Sequence, residues 1–244
     1  IKLAREKNLL LIEDCCEAHG ANYGGIKVGT FGDMSNFSFY FGHHITTVEG
    51  GMICTDNVEL YNYAKLFRSH GMTRELSSFQ QEKYKVKYPE LNPLFTFAVP
   101  GYNMRNQEFN AVLGIEQLKR LDFNVDKRSE NFGVWLDNLD SNKFFVDYDK
   151  NGNSNFALPL ILQNKDKNLF KECCNLLEYE KVEYRIGTAG GGNQARQPYL
   201  ENYTFFSYEL ENVNHIHEYG LYVGNHPELS SEQIIDLCEK LNEI

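Results

Sequence analysis

A chain of 244 residues, 42% hydrophobic and 14% aromatic, can bury a real core as one large domain or two smaller ones. A formal charge of -10 argues against a nucleic-acid partner, which needs a basic face to release counterions, but allows a single nucleotide-bearing ligand held by a few local cations and amides. No apolar run approaches the roughly 18 residues of a membrane helix, and six cysteines without CxxC pairing or zinc-type histidine spacing read as free thiols of a soluble, cytoplasmic protein.

The opening segment IKLAREKN reads as the end of a helix already under way, so a fragment of a longer chain is expected. LLLIED, residues 9–14, is a continuous apolar run ending in two carboxylates, which predicts a buried parallel strand whose C-terminal end presents Asp14 to a site. SNFSFYF and GGMICTD read as two further strands, joined by the glycine-flanked polar loop GHHITTVEG. Residues 58–69 have helical spacing, whereas 72–105 are irregular, aromatic and proline-bearing, a loop long enough to need a reason. From Asn106 to Leu121, Phe109, Val112, Leu113, Ile115 and Leu118 recur at helical spacing, and a second helix runs from Asp126 to Leu139. NFALPLIL, NLFKECCNLLEY, VEYRI and a final helix from Ser231 then alternate as strand, helix, strand, helix. These patterns place a domain boundary near residue 122, with segments 1–121 and 122–244.

Asp14-Cys15-Cys16-Glu17-Ala18-His19-Gly20-Ala21 is by itself a carboxylate at a strand end followed by a turn, and a helix-capping Asp explains it equally well. It is followed in order by GGIKVGTFGD (24–33), NFSFY with Ser38, and GHHITTVEGGMICTD. Segment by segment this resembles the DegT/DnrJ/EryC1/StrS family, whose members run approximately E-D-x-A-Q-A-H-G-A, G-x-x-x-G-x-x-G-D, F-S-F-x-x-x-K and T-x-G-E-G-G. The likeness continues through HGM (70–72) and PGYNMRN (100–106), and more weakly through VEYRIGTAGGGNQ and GLYVGNHPELS.

The resemblance implies an α/β aminotransferase fold of type I that binds pyridoxal 5'-phosphate (PLP). Segment 1–121 would then be the remainder of the large domain and 122–244 the small α+β domain. An upstream part would carry the phosphate cup and the ring-stacking aromatic. Carried over position by position, Asp14 pairs with the cofactor's ring nitrogen, Ser38 donates to its phosphate, and Asn103 reaches the phosphate held by a neighbouring subunit. A homodimer with shared active sites is therefore implied.

Two departures carry more information than the matches. Five residues after Ser38 the family has its cofactor-binding lysine, and here stands His43, with no lysine between Phe31 and Ala64. Imidazole cannot form that covalent link, but it can move protons near neutral pH. Glu17 occupies a position where sugar aminotransferases usually carry glutamine. Within the family, histidine and glutamate together mark the 3-dehydratases that act on GDP-4-keto-6-deoxymannose in colitose biosynthesis. The implied reaction uses L-glutamate to convert PLP to pyridoxamine phosphate (PMP), then removes the carbon-3 hydroxyl of a nucleotide-linked 4-keto-6-deoxyhexose, with His43 as base and acid. Arg185 and His70 are candidate substrate contacts; His70, like His19, also reads as a structural histidine, and Arg185 equally as half of a surface pair. His44 remains the alternative functional ring, and the glycines at 190–192 read as a flexible loop more readily than a phosphate cradle. The rival activities are a conventional nucleotide-sugar aminotransferase, an iron–sulfur-dependent CDP-hexose dehydratase, for which the cysteines lack grouping, and a non-catalytic PLP-binding homologue.

Overall fold

In the computed structural model, which describes residues 1–187, 191–203 and 210–244, the chain divides into two compact units, Ile1–Leu121 and Asp122–Ile244. The first begins with one helical turn, α1 (Lys2–Glu6), and the apolar run then narrows to a three-residue strand, β1 (Ile12–Asp14). A hairpin of β2 (Asn22–Tyr23) and β3 (Ile26–Lys27) follows, turned by Gly24 and Gly25 at φ of 60° and 82°, values that side-chain-bearing residues rarely adopt. β4 (Met34–Ser38) pairs in parallel with β1, and β5 (Gly51–Cys54) pairs antiparallel with β4, giving the order β1-β4-β5. The register sets Asp14 beside Asn36 and Ser38 beside Gly51.

Helix α2 (Val58–Arg68) starts where the Asn57 side chain accepts from the Glu59 and Leu60 amides, satisfying two donors that the helix itself cannot. It ends in a tight turn through His70 and Gly71, at φ of 59° and 78°. A Cβ on Gly71 would fall 1.8 Å from the Val99 carbonyl oxygen, so the chain can pass there only as glycine. The stretch expected to be an irregular loop contains a ten-residue helix, α3 (Ser78–Lys87), started by Ser77 accepting from the Gln80 amide. α4 (Glu108–Leu118) lies where the spacing predicted.

Burial in this unit departs from expectation. Leu9, Leu10 and Ile12 are 62–70% exposed, and the apolar positions of α4 are 42–62% exposed. The expected parallel pairing of β1 is present, but no described element of the unit covers that side of the sheet or that face of the helix.

The second unit comprises α5 (Leu121–Asn138), β6 (Ala157–Ile161), α6 (Lys167–Tyr179), β7 (Tyr184–Ile186), α7 (Glu211–Tyr219), β8 (Gly220–Gly224) and α8 (Ser231–Glu243). Its sheet is wholly antiparallel, in the order β6-β8-β7. Trp135, Phe132, Phe144, Leu158, Leu177, Leu221 and Leu241 form a solvent-excluded core, each worth about 1.5–3 kcal/mol of burial or more for the aromatics. The Trp135 indole N–H donates to the Pro159 carbonyl at 2.8 Å, so its one polar atom is satisfied inside that core. α6 and α8 begin at side-chain caps, Asp166 and a Ser230–Gln233 capping box. Among the described residues no helix is long and apolar enough to cross a membrane.

Candidate active site

The two carboxylates that end β1 do different things. Glu13 accepts from the Gly29 amide through Oε2 at 2.7 Å, and from the Phe31 and Gly32 amides through Oε1 at 2.7 and 2.6 Å. Partial burial alone would raise its pKa, but the three donors outweigh that and hold it below the usual glutamate value. The glycine-rich loop ahead of β4 is thereby tied to the end of β1.

Asp14, exposed at the strand end, accepts at Oδ1 from the Cys16 amide at 3.2 Å and from the Asn36 side-chain amide at 3.0 Å. The neighbouring Cys16 side chain, the two nitrogen donors and the nearby His43 hold Asp14 below the ordinary aspartate range, and the Cys16 sulfur accepts from the same Asn36 nitrogen at 3.1 Å. The thiol in turn is pushed up to about 11, by burial first and by the Asp14 charge second, so it stays protonated at neutral pH.

Beyond β4 the chain forms the loop bearing the two adjacent histidines. Its stem is closed by the Phe39 amide on the Gly50 carbonyl and the Thr47 amide on the Phe39 carbonyl, each at 2.9 Å. Its far side is gripped by buried Asn110 of α4, whose side-chain nitrogen donates to the carbonyls of Thr47 at 2.9 Å and Glu49 at 2.7 Å. Within this frame His43 Nε2 lies 3.7 Å from Glu17 Oε1, with side-chain exposures of 13% and 43%: a mostly sheltered imidazole faces a carboxylate open to solvent. His44 is buried at 2% exposure, its ring 5.4 Å from that of His19. Of the two histidines, His43 is therefore the one set against the carboxylate.

Asp14, Glu17 and His43 are thus brought together in the first unit. Ser38 ends β4, its Oγ accepting from the Tyr40 amide at 3.2 Å. Asn103 bridges to Ser69 and accepts from the Arg105 Nε at 3.3 Å. His70 sits in the left-handed turn after α2, its amide donating to the Tyr102 carbonyl at 2.6 Å. Arg185 belongs to the second unit, on β7, where it pairs with Glu183 at 3.2 Å on an exposed surface. Of the glycines at 190–192, Gly190 lies outside the described residues. Sequence reasoning missed Asn36, Cys16, Glu13 and Asn110 as parts of this assembly. Cys16 carried a signal, since it stands where the family pattern has alanine, and so did Glu13, the first acid of that pattern.

The chain is similar to known proteins along nearly its whole length. GDP-4-keto-6-deoxy-D-mannose 3-dehydratase of Yersinia pseudotuberculosis is 34% identical over 97% of this chain and 60% of its own length. The Escherichia coli GDP-4-keto-6-deoxy-D-mannose-3-dehydratase structure with bound hydrated PLP superposes with a TM-score of 0.84 at 31% identity, covering 98% of this chain and 62% of that one. A GDP-4-keto-6-deoxymannose-3-dehydratase structure with a trapped PLP-glutamate geminal diamine gives 0.85 at 30% identity, with the same coverage. The chain spans about 60% of the length of the relatives it matches, and the aminotransferase fold expected from the sequence is the fold of these neighbours. With residues 1–242 matching its description, the chain belongs to the DegT/DnrJ/EryC1/StrS aminotransferase family.

Proposed function

We propose that this chain is part of a PLP/PMP-dependent 3-dehydratase that removes the carbon-3 hydroxyl of a nucleotide-linked 4-keto-6-deoxyhexose, GDP-4-keto-6-deoxymannose, with L-glutamate as amino donor. Segment 1–121 supplies the remainder of the large cofactor-binding domain and 122–244 the small C-terminal domain. The observation that carries this reading is His43, in the loop after Ser38 where the family has lysine, with Nε2 3.7 Å from the Glu17 carboxylate.

The donor set suits a pyridine-ring phosphate cofactor. Asp14 is held ionised at a strand end, as a partner for a protonated ring nitrogen must be. Ser38 offers a hydroxyl to the phosphate dianion, and Asn103 serves the cofactor of the partner subunit in a homodimer. When bound, pyridoxamine phosphate supplies the amine that joins the sugar ketone and a protonated ring that takes up electrons.

The chain's own residues then manage one proton. His43 accepts it at Nε2, and Glu17 stabilises the resulting imidazolium by charge at short range. His43 returns the proton to the carbon-3 hydroxyl, which leaves as water. A lysine here would be a covalent anchor and would complete amino transfer; an imidazole is confined to acid and base work. Arg185 and His70 are assigned to substrate contact.

The test is incubation of the full-length protein that contains this chain with PLP, L-glutamate and GDP-4-keto-6-deoxymannose, followed by mass spectrometry. The product expected is a 4-keto-3,6-dideoxy sugar nucleotide, lighter than its substrate by one oxygen atom, with ammonia and 2-oxoglutarate released. An amino sugar in its place would make the chain an aminotransferase. No change in the cofactor spectrum on adding glutamate would make it a non-catalytic homologue.

A further inference from the structure

The strand end that presents Asp14 carries more apparatus than one carboxylate needs. Asn36 stands opposite Asp14 in the parallel register, which brings its side-chain amide to the height of the carboxylate. That one nitrogen is 3.0 Å from Asp14 Oδ1 and 3.1 Å from the Cys16 sulfur. The Cys16 amide adds a second nitrogen donor, at 3.2 Å, to the same oxygen. Both fall on Oδ1, and neither falls on Oδ2. An exposed carboxylate with no such bonds would turn freely about its last torsion, which is broad for aspartate. Here one oxygen is fixed and the other is left to face a ligand.

We propose that Cys16 and Asn36 are positioning residues for Asp14: together they clamp its Oδ1, reserving Oδ2 for the cofactor's ring nitrogen. The inference rests on the function proposed above. The Cys16 side chain acts through Asn36, whose nitrogen it accepts from at 3.1 Å, while the Cys16 amide holds Oδ1 directly. Alanine, the residue of the family pattern at this position, can supply the backbone donor but not the sulfur that steadies the Asn36 amide. The clamp couples the ring-nitrogen partner to the neighbouring segment: Cys16 is one residue from Glu17, which faces His43. A displacement of this turn would therefore disturb the ring nitrogen and the proton carrier together.

Two measurements test it. In the cofactor-free chain, NMR of the Asp14 carboxyl carbon follows protonation directly. Cys16→Ala and Asn36→Ala should each move its midpoint upward, and Cys16→Ser, which restores a side-chain acceptor for the Asn36 amide, should return it toward wild type. Titration with PLP and with 1-deaza-PLP, where a CH replaces the ring nitrogen, separates positioning from scaffolding. In the Cys16→Ala/Asn36→Ala variant, PLP affinity should fall about tenfold, the size of one unit of proton affinity, while affinity for the deaza analogue stays at the wild-type value. An unmoved carboxyl midpoint overturns the proposal, as does equal weakening of both ligands, which would mean the two residues only support the turn. If the full-length wild-type protein that contains this chain binds neither ligand, the proposed function falls, and the carboxyl titration still decides whether the clamp acts on Asp14.

Discussion

Asn110→Ala isolates the grip of α4 on the loop that carries His43. The side-chain nitrogen of Asn110 makes two hydrogen bonds, to the Thr47 and Glu49 carbonyls. Each is worth about 1 kcal/mol net, and a buried carbonyl left unpaired costs about 1–3 kcal/mol more. Thr47 is 2% exposed, so its carbonyl is stranded on truncation, whereas exposed Glu49 can turn its carbonyl to water. Against this, the Asn110 side-chain oxygen is itself buried without a partner, and its removal returns about 1 kcal/mol. The balance is a loss of about 2–4 kcal/mol. Urea unfolding reads that loss as a lower midpoint at unchanged slope, and hydrogen exchange should show faster opening of the Phe39 and Thr47 amides that close the loop stem. A change below about 0.5 kcal/mol, the range of an ordinary surface substitution, with unaltered exchange at both amides, would refute the idea that α4 holds this loop.

Three further outcomes are expected. His43→Lys should give a cofactor adduct that borohydride fixes, while dehydration falls by about 10²–10⁴, the usual cost of a lost general base; His44→Asn should retain much of the activity, and a dead His44→Asn variant would transfer the role to that ring. Glu13 has a lowered pKa, so its contribution to stability is complete above the ordinary glutamate value of about 4.5 and is lost as pH falls through the lower folded value. Glu13→Gln should accordingly lower the urea midpoint at neutral pH and lower it progressively less as pH falls below about 4.5, and an equal effect at every pH would point to a charge-independent role. Leu221→Ala, at a position with no solvent exposure, should cost about 2–5 kcal/mol in the second unit, measured by calorimetry.

Local signals explain what the sequence disclosed. α2, α6 and α8 could be read from apolar positions at helical spacing, and the structure shows Asn57, Asp166 and Ser230 capping them. α3 escaped because none of its residues is buried, so it lacks a periodic apolar stripe; it is held instead by the Ser77 cap and by Gln81 bonding back to the Arg74 and Leu76 carbonyls. β8 escaped because it follows α7 directly, Tyr219 to Gly220, with no turn residues to announce a change of state. In the site, His43, Glu17 and Asp14 were legible through their place in linked motifs. Asn36 was not, because its partnership with Asp14 comes from strand register across 22 residues of chain, which no linear spacing displays. Asn110 reaches Thr47 across 63 residues and gave no sign either.

The alternation of β1 gives its last two residues opposite neighbourhoods, Glu13 toward the backbone of a loop and Asp14 toward open space at the strand tip. Two acids adjacent in sequence are thereby made non-interchangeable by geometry alone. A slip of β1 by one position against β4 would send the anchoring acid to the tip and bury the ligand-facing one among glycine amides. The three amides gathered on Glu13 act against that slip, because only one alignment of the strand satisfies them all. A residue that touches no reactant thus sets which carboxylate is available to one.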